Sequence, residues 1–188
     1  MKTSNRTEDF IPYKAQKFTE EEMIQRSRDY FEYSNQRRSL REFSDRPVPM
    51  EVIENIIKTA STAPSGAHKQ PWTFCVIQDP EMKAKLREAA EEEEKINYSG
   101  RMSDDWLEDL KVFATNEVKE FLTIAPYLIV VCKKTYDIEA DGGKAKNYYV
   151  NESVGLAAGF LLTAIHNAGL VALTHTPSPM GFLTKILD

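Results

Sequence analysis

The chain has 188 residues, of which 41% are hydrophobic and 28% are charged, and its formal net charge is -5. This length and composition fit one folded domain and exclude a disordered chain. The acidic balance argues against a dedicated nucleic-acid binder, which carries a basic excess. No apolar run approaches the roughly 20 residues that cross a bilayer, and the polar Met1–Glu22 segment does not resemble a signal peptide. We therefore expect a soluble protein, located in the cytoplasm.

Hydrophobic periodicity and turn residues divide the chain into helices and strands. The predicted helices are Glu20–Asn35, a segment that Pro47 and Pro49 begin, Glu81–Tyr98, Ser103–Leu122 and Tyr148–Asn167. The second of them has an apolar face formed by Ile53, Ile56, Ile57 and Ala60. The predicted strands are Thr73–Gln78, Tyr127–Cys132 and Leu170–Thr174. We expect residues 1–19 to be a loose leader and residues 20–188 to form an α+β domain, with helices around a small central sheet.

Local signals support several of these elements. Thr19 and Glu22 have the spacing of a capping box at the start of the first helix. The continuous apolar run of Tyr127–Cys132 is typical of a strand that is buried on both faces. Small residues in the last predicted helix indicate close helix packing, in a core or across a subunit interface, and Gly169 is the expected stop of that helix.

The cysteines and histidines give no sign of a metal site. Cys75 and Cys132 both sit in apolar runs, so we expect two buried strand thiols rather than a disulfide or a reactive pair. The histidines have no partners at ligand spacing. We therefore expect no metal.

Two segments carry groups that could bind a ligand. Residues 37–41 place three arginines around a serine, and guanidinium forks match phosphate oxygens. The alternative is a solvated basic stretch at a helix end, which composition alone favours. In the loop that follows the second helix, Ser65 offers a hydroxyl and Gly66 permits close approach of a ligand to the backbone. An ordinary helix-to-strand connection is an equally good interpretation of this loop.

The basic segment, the following helix and the loop Pro64-Ser65-Gly66-Ala67-His68 before Gln70-Pro71-Trp72 together resemble the nitroreductase-like flavoproteins. The resemblance implies that fold, a domain-swapped homodimer and FMN at the subunit interface. It also implies FMN contacts at these residues: Arg37, Arg38, Ser39, Leu40, Arg41, Pro64, Ser65 and Gly66.

Within that family, the stretch Glu91–Tyr98 is similar to a segment of the iodotyrosine deiodinases, and the likeness continues beyond it to Glu120. The resemblance implies that Glu94, Tyr98 and Lys119 grip the amino-acid end of a halotyrosine. Glu94 and Tyr98 are four residues apart and share a helix face. A zwitterion also needs one anion and one cation, which Glu94 and Lys119 supply. We interpret Glu91–Glu93 as a solvated acidic face.

A similar strand end in the deiodinases is matched by Leu173–Pro177. The resemblance implies that Thr174 donates a hydrogen bond to flavin N5, which would promote single-electron steps over hydride transfer. Thr176 and His175 would also contact the cofactor. His175 stands where a threonine is common in the family. A histidine here invites a catalytic interpretation, but we expect it to contribute mainly its backbone. The backbone amide of Ala67 is expected to hold the phenolate oxygen of the substrate.

The activity implied by the resemblance is FMN-dependent reductive dehalogenation of mono- and diiodotyrosine, with electrons from a reductase or NAD(P)H. The likeness covers about Glu20–Leu187. Family members continue with a further strand, an arginine that contacts the FMN phosphate and a C-terminal arm, so we expect this chain to be a piece of a longer protein. The alternatives are a general NAD(P)H nitroreductase or flavin reductase and a non-catalytic protein that binds flavin or halotyrosine.

Overall fold

The computed structural model describes residues 11–187, so the first ten residues of the predicted leader lie outside the described part. The chain divides into two compact units, Met1–Arg37 and Arg38–Asp188. The first unit contains helix α1 (Glu20–Ser34), which begins with the predicted capping box. The Glu22 amide donates to Thr19 Oγ1 at 3.2 Å, and the Thr19 amide donates to Glu22 Oε2 at 2.8 Å. These bonds satisfy amides that a helix start otherwise leaves open.

The second unit contains the remaining elements. Its helices are α2 (Met50–Ala60), α3 (Pro80–Ile96), α4 (Asp104–Lys111), α5 (Phe121–Ile124), α6 (Val150–Asn167) and α7 (Gly181–Leu187). Its strands are β1 (Trp72–Ile77), β2 (Leu128–Lys133), β3 (Tyr136–Ile138) and β4 (Lys144–Lys146). Among residues 11–187, no helix combines the length and the apolar character that crossing a bilayer requires.

The core of the second unit lies where α2, α6 and the β1–β2 sheet meet. β1 and β2 pair antiparallel from Trp72 opposite Lys133 to Ile77 opposite Leu128. Ile56, Ala60 and Leu161 form one buried cluster, against which side chains of both strands pack. A second buried cluster consists of Trp72 on β1, Ala157 on α6 and Ala63 in the loop after α2. The predicted apolar face of α2 is confirmed, because helical spacing aligns its side chains toward the core.

Two of the predicted elements are wrong, and the predicted burial of a third is wrong. The helix predicted over Ser103–Leu122 ends at Lys111 and resumes only as the short α5. Asn116 Oδ1 accepts the Val118 amide at 2.9 Å, and such a local side-chain bond competes with helical pairing. The strand predicted over Leu170–Thr174 is a single parallel bridge between Ser39 and Ala172. β2 is half-buried along most of its length rather than buried on both faces.

The structure also contains elements that were not predicted. The β3–β4 hairpin turns through Gly142, whose φ of 84° favours glycine, and the Gly143 amide donates to Asp141 Oδ1 at 2.8 Å. After α3 the chain continues as one wider π-type turn over Asn97–Arg101. This turn matters below because it follows the helix that carries the candidate site.

The two cysteines lie on neighbouring strands of the main sheet. Cys75 is paired with Val130, so Cys132 is its diagonal neighbour on β2. Both thiols are half-buried rather than buried, which corrects the sequence prediction, and they are not joined by a disulfide. Burial raises the pKa of the Cys132 thiol, and the adjacent Cys75 raises it further. A raised pKa keeps the thiol protonated, as expected for an unreactive strand cysteine.

Candidate functional site

A buried carboxylate lies at the centre of the candidate site. Glu94, in the last turns of α3, is only 6% exposed although it ends an acidic run. Its Oε2 lies 3.4 Å from Lys119 Nζ, and its Oε1 lies 3.3 Å from His175 Nε2. Three segments far apart in sequence therefore converge on one carboxylate. We call Glu94, Lys119, Tyr98 and His175 the clamp.

The Glu94 carboxylate stays ionised despite its burial. Burial raises its pKa, but the hydrogen bond from His175 and the positive charge of Lys119 outweigh that effect, and the pKa lies below the ordinary 4.5. A buried charge is tolerated only when partners of this kind compensate for the loss of water. The site therefore holds a fixed negative charge at neutral pH.

Lys119 supplies the opposite charge and is 4% exposed. Its ammonium group lies 3.4 Å from Thr115 Oγ1 and also contacts the backbone carbonyl of Asn116. The same group lies 5.6 Å from the centre of the Tyr98 ring. The structure thus brings together Glu94, Tyr98 and Lys119, the three side chains that the resemblance singled out for the amino-acid end of a ligand.

The expected solvated face at Glu91–Glu93 is wrong for two of its three residues. Glu93 pairs with Arg101 at 2.7 Å. Glu91 Oε1 accepts the backbone amide of Lys119 at 2.8 Å and the Arg87 Nε–H at 2.7 Å. Burial raises the pKa of Glu91, but the Lys119 amide and Arg87 lower it by more.

Glu91 therefore fixes the backbone of the residue that carries the clamp's cation. Sequence reasoning missed this role. The available signal was Arg87 four residues before Glu91, a spacing at which opposite charges meet on a helix. The Arg87 guanidinium also donates to Thr123 Oγ1 at 3.1 Å, which ties α3 to α5.

The segment Thr174–Thr176 lies outside the helices and strands, and the exposure of its side chains alternates. Thr174 and Thr176 are exposed, whereas His175 between them is half-buried and faces Glu94. The His175 ring meets the Phe121 ring edge-on, with 5.4 Å between the centres. The expectation that His175 contributes mainly its backbone therefore missed a specific side-chain contact, whereas the threonine hydroxyls remain open to a ligand.

The basic segment lies beside the chain that leads into Thr174–Thr176. Ser39 forms the parallel bridge with Ala172, and the Leu40 amide donates to Ala172 O at 3.4 Å. Ser39 is thus paired with the backbone two residues before Thr174. Arg38 and Arg41, close to Ser39 in sequence, are exposed. The guanidinium of Arg41 lies 4.9 Å above the Phe113 ring, a cation–π contact. Arg37 belongs to the first unit, where its amide donates to Ser34 O at 3.2 Å.

The loop around Pro64 has an unusual backbone. Ala67, His68 and Gln70 all have positive φ angles, of 49°, 54° and 45°. Left-handed conformations of residues other than glycine cost energy and concentrate at ligand sites. Ser65 Oγ accepts the Gln70 amide at 2.9 Å, which holds the loop closed and leaves the hydroxyl hydrogen available as a donor.

Packing inside the protein requires a glycine at position 66. A Cβ at this position would lie 2.8 Å from Tyr149 Cδ2 and 3.1 Å from the Tyr148 carbonyl oxygen. The Gly66 amide donates to Ser153 Oγ at 3.3 Å. The glycine therefore allows the loop to pack closely against the start of α6.

The donor groups beside the clamp fit a phosphate-bearing, polar ring ligand. Arg38 and Arg41 supply guanidiniums and Ser39 a hydroxyl, which suits a phosphate. Thr174 and Thr176, on the neighbouring segment, supply exposed hydroxyls. The site thus combines donors for an anionic cofactor with the opposite-charge pair of the clamp.

Comparison with known proteins places this chain in a family. Residues 35–177 match the model of the nitroreductase family. The chain is 65% identical over 95% of its length to an iodotyrosine deiodinase of Haliscomenobacter hydrossis, of which it spans 81%. It is 57% identical to an iodotyrosine deiodinase of Hydra vulgaris over 93% of its length and 49% identical to human iodotyrosine deiodinase 1 over 94%. It spans 64% and 61% of those two proteins.

Solved structures agree with this placement. The fold matches a crystal structure of oxidised iodotyrosine deiodinase bound to FMN and 3-iodo-L-tyrosine, with a TM-score of 0.73 and 30% identity over 84% of this chain and 79% of that chain. It also matches a nitroreductase with bound FMN from Bacteroides fragilis, with a TM-score of 0.56 and 20% identity over 83% of this chain and 78% of that one. At that identity the second match supports the fold alone.

Proposed function

The chain belongs to the nitroreductase family and, within it, to the iodotyrosine deiodinases, and from this placement we propose that it removes halogen reductively from halotyrosines. The observation that carries the proposal is the buried pair of opposite charges, Glu94 and Lys119, beside donors suited to a phosphate-bearing cofactor. A small aromatic acceptor without charges needs no such pair. An amino acid needs both members of it.

We propose that FMN binds at the basic segment, the Pro64 loop and the segment Thr174–Thr176. The residues that would hold it are Arg37, Arg38, Ser39, Leu40, Arg41, Pro64, Ser65, Gly66, Thr174, His175 and Thr176. When bound and reduced, FMN supplies two electrons in single steps. Thr174 is the proposed hydrogen-bond donor to flavin N5, which its exposed side chain allows. Thr176, two residues further on, is also exposed.

The clamp would orient the substrate. Glu94 would bind the ammonium group and Lys119 the carboxylate, while Tyr98 contributes its ring and hydroxyl. The Ala67 amide would hold the phenolate oxygen and stabilise negative charge there. In the overall reaction the carbon–halogen bond breaks and a carbon–hydrogen bond forms. It consumes two electrons and one proton and releases halide.

A second copy of the chain would complete the cofactor site, as the domain-swapped dimer implied by the resemblance requires. On α6, Leu156 is 48% exposed and Phe160 is 39% exposed, and Gly155 and Gly159 lie beside them on the surface. Apolar and small side chains in this arrangement permit close helix packing across an interface. The electrons would come from a reductase or from NAD(P)H, in the cytoplasm.

Turnover tests the proposal directly. The FMN-loaded protein is reduced anaerobically with dithionite and mixed with diiodotyrosine, and iodide and tyrosine are measured. We expect both products. Reduction of nitroaromatic compounds by NAD(P)H without iodide release would instead identify a general nitroreductase. Quenching of flavin fluorescence by halotyrosine without turnover would identify a binding protein.

A further inference from the structure

We propose that His175 is a positioning residue of the clamp, which fixes the Glu94 carboxylate and so sets the preference for halogenated amino acids over halogenated phenols. The inference rests on the proposed function, because it concerns how the same site recognises its substrate. The contact that carries it joins His175 Nε2 to Glu94 Oε1 at 3.3 Å. The partners lie 81 residues apart in the chain.

Each oxygen of the Glu94 carboxylate has its own partner. His175 contacts Oε1 and Lys119 contacts Oε2, at 3.3 and 3.4 Å. Two contacts from different directions fix both the position and the plane of a carboxylate, whereas one contact leaves it free to rotate. The Glu94 side chain is 8% exposed, so bulk water does not replace a missing partner.

The imidazole is itself held in place. Its side chain is 19% exposed and its ring packs edge-on against Phe121. Phe121 in turn lies 6.2 Å from the Phe43 ring, at an interplanar angle of 44°. Thr174 and Thr176 on either side of His175 are exposed, so within this segment only the imidazole turns toward Glu94.

The consequence for binding follows from competition between charges. Glu94 and Lys119 attract each other, but the substrate needs both, one for each end of its zwitterion. His175 holds one oxygen of Glu94 away from full engagement with Lys119, which preserves an acceptor for the ammonium group. Without His175 we expect the carboxylate to turn onto Lys119, so that each charge partly neutralises the other before a ligand arrives.

The test uses the full-length FMN-loaded protein and measures flavin fluorescence quenching by 3-iodotyrosine and by 2-iodophenol, which lacks the amino-acid end. His175→Leu removes the donor, and His175→Gln retains an amide N–H near the Nε2 position. We expect His175→Leu to weaken iodotyrosine binding about tenfold, the effect of one charge-assisted hydrogen bond, and to weaken iodophenol binding much less. His175→Gln should restore most of the affinity.

A double-mutant cycle with Glu94→Gln separates positioning from general damage. If His175 acts through Glu94, adding His175→Leu to Glu94→Gln changes iodotyrosine affinity by less than twofold. Glu92→Gln, an exposed neighbour on α3, is the matched control and should change neither ligand. Equal weakening of both ligands by His175→Leu, or a full additional loss in the double variant, overturns the inference. Iodide release by the wild-type protein, measured in the turnover assay described above, tests the proposed function separately from the role of His175.

Discussion

The two halves of the candidate site differ in how much of their structure the chain supplies by itself. In the clamp, Glu94 and Lys119 are 6% and 4% exposed and are paired with protein groups. On the cofactor side, Arg38 and Thr174 are exposed and present their donors to the surface. The difference indicates that the chain itself buries the substrate clamp, whereas it leaves the proposed cofactor donors at the surface, where a ligand can reach them.

The largest expected effect comes from breaking the clamp at Glu94. Glu94→Gln leaves Lys119 buried without its counter-charge and the substrate ammonium without a partner. Truncation of one member of such a pair costs about 2–5 kcal/mol, so 3-iodotyrosine affinity should fall about 100-fold while FMN remains bound. Titration of flavin fluorescence with 3-iodotyrosine measures this loss, with Glu92→Gln as the control. Unchanged affinity would remove Glu94 from the substrate site.

Gly66→Ala tests whether the loop around Pro64, on the cofactor side, is packed rigidly against the start of α6. The added methyl group would press on the Tyr149 ring and the Tyr148 carbonyl at 2.8 and 3.1 Å. Overpacking of this kind costs about 1–3 kcal/mol, so the melting temperature should fall. Gly181→Ala is the matched control, because a Cβ there meets nothing within 4 Å. Equal melting temperatures for the two variants would show that the loop moves freely on α6.

Arg38→Met sharpens the contrast by acting on the cofactor alone. Loss of one guanidinium–phosphate contact should weaken FMN binding about tenfold. Riboflavin carries no phosphate, so its affinity should stay the same, and so should the affinity of the FMN-saturated protein for 3-iodotyrosine. The control is Arg28→Met, an exposed arginine on α1. An equal loss for FMN and riboflavin would contradict a phosphate contact.

The smallest expected effect is on the pH dependence of stability. The folded pKa of Glu94 lies below its ordinary 4.5, so the folded protein binds fewer protons there than the unfolded chain. Its contribution to stability is therefore complete above pH 4.5 and is lost as the pH falls through the folded pKa. Urea unfolding between neutral and acidic pH should show a shallower loss in Glu94→Gln than in the wild type. Parallel curves would show that the partners of Glu94 do not favour its ionised form.

The elements that the sequence predicted well are those with local signals. The capping box of Thr19 and Glu22 and the apolar face of α2 depend on residues three or four apart, so they can be read without the rest of the fold. The helix expected to reach Leu122 ends at Lys111, Ala114 then has a positive φ of 47°, and Asn116 Oδ1 accepts the Val118 amide instead of a helical bond. Neither feature can be read from hydrophobic periodicity.

The site divides in the same way. Glu94 and Tyr98 share a helix face by spacing alone, but the pairing of Glu94 with Lys119 was available only through the family resemblance. The contact of His175 with Glu94 joins segments that periodicity cannot relate, and the His175 side chain was therefore overlooked. Glu91 was misjudged because a run of glutamates looks uniformly solvated until the Lys119 backbone is placed against it.

The alternation at Thr174–Thr176 limits how this stretch can vary. Insertion or deletion of one residue beside His175 would move a threonine into the position that faces Glu94 and the imidazole into an exposed position. A library that varies the length of this stretch by single residues should therefore yield mostly proteins that bind halotyrosine poorly.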